Sequence, residues 1–176
     1  QKRFWILSHF SDGSEAYNNS NTFIIKGKLN FEAFQKAFES VIDRHEILRT
    51  KFVEKDSNVY QKIVSTKEID FEINRIDLSQ MENPDTYIKD WVKNDSKQPF
   101  DLSNGPLLRA TLFETGKEVY AFAINLHHII SDGWSKRIFT KEVFAFYNMY
   151  DKHIENSLQT LPIQYRDYAA WHKSIM

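Results

Sequence analysis

A chain of 176 residues that is 41% hydrophobic and 15% aromatic can bury a sizeable core, which excludes the disordered and fibrous classes. A formal net charge of −1 predicts neither nucleic-acid nor anionic-membrane binding, and no apolar run approaches the ~20 residues of a membrane span. The absence of cysteine excludes disulfides, thiolate metal sites and a cysteine nucleophile, and it fits a cytoplasmic protein.

The opening "QKRFWILSHF" is basic, but its apolar stretch is short and no small-residue cleavage site follows, so it is not read as a signal peptide. Position 1 is not Met, which suggests a piece of something longer. Thr22 to Leu29 reads as a strand, and Asn30 can cap the helix that follows by accepting a free N–H. Phe34, Ala37, Phe38, Val41 and Ile42 then recur at three- and four-residue spacing, one apolar helical stripe. "ILRTKFVEK" and "VYQKIV" alternate as strands do, with the turn-like "KDSN" between them. "YIKDWVKND" predicts a helix, and "KQPFDLSNGP", with two prolines and an Asn-Gly pair, predicts a loop. "LLRATLF" and "VYAFAINLHH" flank "ETGKE" as the arms of a hairpin. Phe139, Val143, Phe146, Tyr147 and Tyr150 form a second helical stripe; "DKHIENSLQTLP" reads as a loop and "IQYRDYAAWHKSIM" as a last helix. Mixed strands and amphipathic helices predict an α/β two-layer sandwich.

The chemistry concentrates in "LHHIISDGWS", Leu126 to Ser135. On a strand running from Val119 to His128, His128 shares a face with Tyr120, Phe122, Ile124 and Leu126, and His127 shares the other with Val119, Ala121, Ala123 and Asn125. Rings that diverge do not converge on one metal, so the pattern predicts two roles, one ring open to a cleft and one buried in support. Alternation does not say which is which. Asp132 can cap the following helix, orient a histidine or pair with an arginine. Gly133 permits a positive φ or the close approach of another molecule. Singly, a histidine at a strand end is more often structural and an aspartate before a helix more often a cap; together with Gly133 they favour a site. His45 and Glu46 stand evenly between a solvated helix end and a fold-specific role, Tyr168 and Trp171 read as packing residues, and His9, His153 and His172 receive no role. Ser135 reads as a capping residue, since no Gly-x-Ser-x-Gly elbow surrounds it or Ser131. Neither a phosphate loop nor a metal-ligand cluster appears.

"HHIISDG" resembles the HHxxxDG signature of the condensation domains of nonribosomal peptide synthetases, shared more loosely with chloramphenicol acetyltransferase-like acyltransferases. "QKRFWIL" looks like the end of that family's first motif, "RHEILRTKF" (Arg44 to Phe52) like its second and "YRDYAAW" (Tyr165 to Trp171) like its fourth, while "QPFDLSNGPLLRATL" resembles the stretch before the histidine hairpin. The matches follow the family's order and cover essentially the whole chain. The later motifs are absent, so residues 1–176 look like the N-terminal lobe, with a mixed sheet packed by helices, of a domain whose C-terminal lobe is missing.

The resemblance implies a chemistry. The family joins an acyl or peptidyl group, held as a thioester on a donor carrier protein, to the amine of an aminoacyl group on an acceptor carrier. The phosphopantetheine arms belong to those peptidyl carrier proteins, so no cofactor is expected on this chain and no metal. Partners would be the two carriers, the missing lobe and adjacent synthetase domains. Carried over by position, His128 is the active-site residue and His127 the inward, supporting one. Asp132 is expected in a salt bridge with Arg49, or with Arg44, and Gly133 would let its backbone lie near the reacting centre. "SDGWS" and "RHEILRT" look more like domains that join L-configured donors to L-configured acceptors. Without its second lobe the chain is expected to be inactive alone. The alternatives are the related epimerisation domain, a stand-alone acyltransferase of hydroxyls or small amines, and a carrier-docking lobe without chemistry.

Overall fold

Capping, apolar stripes and strand alternation give, in chain order, α1 (Lys2–Ser8), β1 (Asn18–Lys26), α2 (Phe31–Arg44), β2 (Thr50–Lys55), β3 (Asn58–Ile63), α3 (Thr66–Ile69), β4 (Asn74–Asp77), α4 (Pro84–Lys97), β5 (Leu108–Gly116), β6 (Val119–His127), α5 (Gly133–Lys152) and α6 (Tyr165–Ser174). Single 3-10 turns occupy Ser14–Tyr17 and Glu46–Arg49. The structure is a computed structural model that describes residues 1–8, 14–56 and 58–175; His9 lies outside them. The chain forms two compact units. One comprises Gln1–Leu29, Phe71–Asp101 and Leu107–Ser131, the other Asn30–Asp70, Leu102–Pro106 and Asp132–Met176.

The first unit is a mixed four-stranded sheet in the order β1-β6-β5-β4, with β4 parallel to β5 and the remaining pairs antiparallel. The expected hairpin is β5–β6, and Glu118 takes a positive φ of 56° at its turn. Ala121 and Ala123 of β6 and Phe113 of β5 pack with Leu78 and Ile88, and the Trp91 ring of α4 meets Phe113 edge-on at 5.3 Å. Each fully buried Leu, Ile or Phe of such a cluster contributes about 1.5–3 kcal/mol. Two alanines on the face of β6 leave room for the bulk of Trp91 and Ile88. His127 continues that same face of β6, and Asn18 is its cross-strand neighbour on β1.

In the second unit, Asn30 caps α2, its Oδ1 accepting the Ala33 N–H at 3.2 Å. The predicted stripe Phe34, Ala37, Phe38, Val41 and Ile42 is wholly buried. It packs on α5 through Phe38 against Phe139 (5.4 Å) and Phe34 against Tyr147 (6.0 Å), both edge-to-face. β2 and β3 form a separate antiparallel hairpin, and the Phe52 N–H donates to the Leu102 carbonyl at 2.8 Å.

Several boundaries differ from the sequence reading. β1 begins at Asn18 rather than Thr22 and stops at Lys26, because Gly27 leaves the strand at φ 105°. The start of "ILRTKFVEK" winds into the 3-10 turn before the strand begins at Thr50. α1, α3 and β4 are short elements with no usable period. Tyr168 and Trp171, expected to pack, stand 46% and 57% exposed, and no residue of α6 is buried.

Candidate active site

β6 ends one residue earlier than the alternation assumed, at His127, and His128 to Ile130 form a turn. The two rings still part. His127 is 1% exposed on the α4-covered face of the sheet, whereas His128 is exposed. His127 Nδ1 accepts the Ile129 N–H at 3.0 Å, which puts the proton of the neutral ring on Nε2. The His127 carbonyl accepts from the Ser131 hydroxyl at 3.2 Å and from the Ile130 N–H at 3.1 Å. Burial, with a smaller contribution from His128, lowers the His127 pKa to about 4, so the ring is uncharged near neutral pH.

His128 is held from the other side of its turn. Its N–H donates to the Tyr17 carbonyl at 2.8 Å, and its ring lies on Phe4 of α1 at 5.3 Å and 15° between planes. His127 in turn meets the edge of Phe100 at 6.0 Å. Behind it a polar network closes the C-terminal end of α4. Arg109 Nε donates to Asp95 Oδ1 at 2.7 Å, Arg109 Nη2 to the carbonyls of Asp95 and Gln98 at 2.9 Å each, and Asn125 Nδ2 to Asp95 Oδ2 at 2.8 Å. The Arg109 guanidinium also sits 3.8 Å over the Phe100 ring. Sequence reasoning missed Asp95, Gln98, Phe100, Arg109 and Asn125 as partners here. The one available signal is that Asn125 shares the His127 side of β6, a polar residue where the pattern calls for an apolar one.

The second unit supplies the Asp-Gly part of the motif. Asp132 caps α5: its Oδ1 accepts the Ser135 N–H at 2.7 Å, and its own N–H donates to Ser135 Oγ at 2.8 Å. Ser135 is thus the capping partner that the sequence suggested. Gly133 opens α5 with no positive φ, and a Cβ placed on it would meet nothing within 4 Å. Its smallness serves open space rather than backbone strain. Trp134 beside it is 73% exposed. The Tyr165 phenol is pushed up by burial, and further by Tyr168 and Asp132.

The salt bridge expected from Asp132 to Arg49 or Arg44 is corrected. Arg44 Nε pairs with Glu142 of α5 at 3.1 Å, and His45 Nε2 lies 2.6 Å from the same carboxylate oxygen. Arg49 Nη1 donates to the Val64 carbonyl at 2.8 Å, its Nε and Nη2 to that of Asp43 at 3.3 Å, and its nearest carboxylate is Glu46 at 4.0 Å. The Glu46 N–H donates to Gln164 Oε1 at 3.2 Å, and Gln164 Nε2 donates to the Arg44 carbonyl at 2.9 Å. "RHEILRT" therefore braces α2 to α5 and to the start of α6, and His45 and Glu46 have a fold-specific role. Among the described residues no three His, Cys, Asp or Glu side chains are grouped to hold a metal, and no helix is long and apolar enough to cross a membrane.

HHxxxDG thus runs from the end of β6 to the cap of α5 in a mixed α/β fold, with His127 buried and His128 exposed. The condensation-domain profile matches residues 1–176, and the chain belongs to that family. A linear gramicidin synthase of Brevibacillus parabrevis is 38% identical over 175 residues, which are 98% of this chain and 2% of that protein. Malpibaldin synthetase of Mortierella alpina is 35% identical over 173 residues, 98% of this chain and 3% of that protein. The chain thus spans only a few per cent of the length of such relatives. In structure it is similar to the starter condensation domain of rhizomide synthetase, with a TM-score of 0.88 at 21% identity, over 98% of this chain and 41% of that one. The first condensation domain of the calcium-dependent antibiotic synthetase gives 0.85 at 19% identity, again over 98% and 41%. At such identities the likeness establishes the fold.

Proposed function

We propose that this chain is the N-terminal lobe of a condensation domain that forms amide bonds in nonribosomal peptide synthesis, with His128 at the reacting centre. The observation that carries the reading is the division of labour inside HHIISDG: a buried, neutral His127 and an exposed His128 on one pinned turn. One similar solved structure, a variant of the rhizomide starter domain, is in complex with C8-CoA and Leu-SNAC. The corresponding substrates here are an acyl thioester and an aminoacyl thioester, each on the phosphopantetheine arm of a carrier protein. The partners are therefore the donor and acceptor carriers, the C-terminal lobe and the neighbouring synthetase domains.

In the reaction the acceptor amine attacks the donor carbonyl, the C–N bond forms, the C–S bond breaks, and the proton leaving nitrogen ends on the departing sulfur. An α-amine has a pKa of about 7.7–8, so holding it neutral near pH 7 costs only about 1.4 kcal/mol. Aligning the two substrates is worth about 7–11 kcal/mol, whereas a proton acceptor adds about 10²–10⁴-fold. Orientation is the larger effect. His128 serves it by hydrogen-bonding the amine or the tetrahedral intermediate. His127 supports the turn through its Nδ1, Asp132 holds the start of α5, and Gly133 leaves its backbone open to the reacting groups. Arg44 acts at a distance, through the bracing of α2 on α5, and Arg49 by tying the end of α2 to the residue after β3.

The test uses the intact domain with loaded donor and acceptor carriers, read by intact mass for the wild type and His128→Ala. The donor mass is expected to move to the acceptor, about 10²-fold or more slowly in the variant. A variant rate within about threefold would overturn the role of His128. An aminoacyl group that changes chirality without mass transfer would mean epimerisation, and carrier binding with neither change would mean docking alone.

A further inference from the structure

We propose that Phe4 is a positioning residue for His128: its ring holds the plane of the exposed imidazole and closes one face of it. The inference rests on the amide-forming role of His128 and names the group that makes that histidine rigid.

A histidine exposed on a turn ordinarily samples several χ1 and χ2 settings. Here the backbone of the turn is tied by the His128 N–H to the Tyr17 carbonyl at 2.8 Å and by Gln1 Nε2 to the Ile129 carbonyl at 2.9 Å. Those bonds fix the main chain and leave the ring free to rotate. The side chain that limits the rotation is Phe4, with ring centroids 5.3 Å apart and planes at 15°. Phe4 is itself steadied by Tyr17, whose ring meets it edge-on at 5.1 Å. A helix of seven residues such as α1 does not persist by its own hydrogen bonds, so its place depends on contacts of this kind. The covered face of the imidazole is closed to substrate, and the ring nitrogens at its edge remain the groups that can meet the amine.

The experiment compares Phe4→Leu, Phe4→Met and Phe4→Tyr with the wild type in the intact domain. Amide formation is followed by intact mass. The His128 Cε1–H resonance is read by NMR and assigned by its loss in His128→Gln. The Leu and Met variants are expected to lower kcat about 2- to 12-fold, the worth of one aromatic pair, with KM unchanged. The same variants shift the His128 resonance, because the ring current of Phe4 is gone, and Phe4→Tyr restores both readings. The proposal is overturned if kcat and the resonance stay at the wild-type values in the Leu variant, or in the Met variant should Leu fail to fold. It is also overturned if kcat falls while the resonance stays, or if Tyr does not rescue. A His128→Gln domain that still transfers at full rate removes the catalytic reading itself, and with it the role of Phe4, even if the resonance shift continues to report the stacked pair.

Discussion

Acid should weaken this fold earlier than its carboxylates alone require, because His127 takes up a proton on unfolding. The ring is 1% exposed and its Nδ1 is occupied by the Ile129 N–H, so the folded chain holds it neutral down to about pH 4. In the unfolded chain it titrates near the ordinary value of 6.5. Between those values the unfolded state binds more protons, so stability is full above about pH 6.5 and falls as the pH drops towards 4. With one pKa unit equal to about 1.4 kcal/mol, the loss is about 2 kcal/mol at pH 5 and about 3 kcal/mol below pH 4. His127→Asn keeps an acceptor near the place of Nδ1 and removes the titration. The assay is urea unfolding of wild type and His127→Asn across this range, so that carboxylate and other histidine contributions cancel in the difference. The wild type should lose about 2 kcal/mol relative to the variant between pH 7.5 and 5. Parallel curves would refute the reasoning, since they would mean that His127 titrates in the folded chain as it does in water.

Glu142→Ala removes the carboxylate that Arg44 and His45 share and leaves the Arg44 guanidinium, 16% exposed, without its ion pair; thermal unfolding should show a loss of about 3 kcal/mol, or roughly 6–12 °C. Gly133→Ala has no steric conflict within the fold and should leave stability within about 0.5 kcal/mol. If Gly133 lies by the reacting centre as proposed, its methyl would meet substrate and amide formation in the intact domain should fall by about tenfold or more, and an unchanged rate would place the reacting centre elsewhere.

Local pattern alone determined much of this protein. Spacing of three and four predicted α2 and α5, Asn30 announced a cap, and the run from Leu107 to His128 announced the β5–β6 hairpin. The order of the motifs, from "QKRFWIL" to "YRDYAAW", pointed to the family. Each of these signals rests on residues close in sequence, where backbone geometry sets the outcome. Alternation along β6 likewise sorted its side chains into two faces, but it could not say which face is covered. α4 decided that, by packing on Ala121 and Ala123 and burying the His127 side.

Long-range polar partners were beyond the sequence for the same reason. Arg44 meets a carboxylate 98 positions away, at Glu142, rather than Asp132, because the packing of α2 on α5 brings that oxygen within 3.1 Å. Asp95, Arg109 and Asn125 come from one helix and two strands and form a network only once α4 lies on the sheet. α1 carries too few residues to announce itself, yet its Phe4 ring reaches His128. The sequence by itself determined which residue types are present and which of them share a local face. Tertiary packing decided which faces are dry, and dryness is what keeps His127 neutral beside an exposed His128.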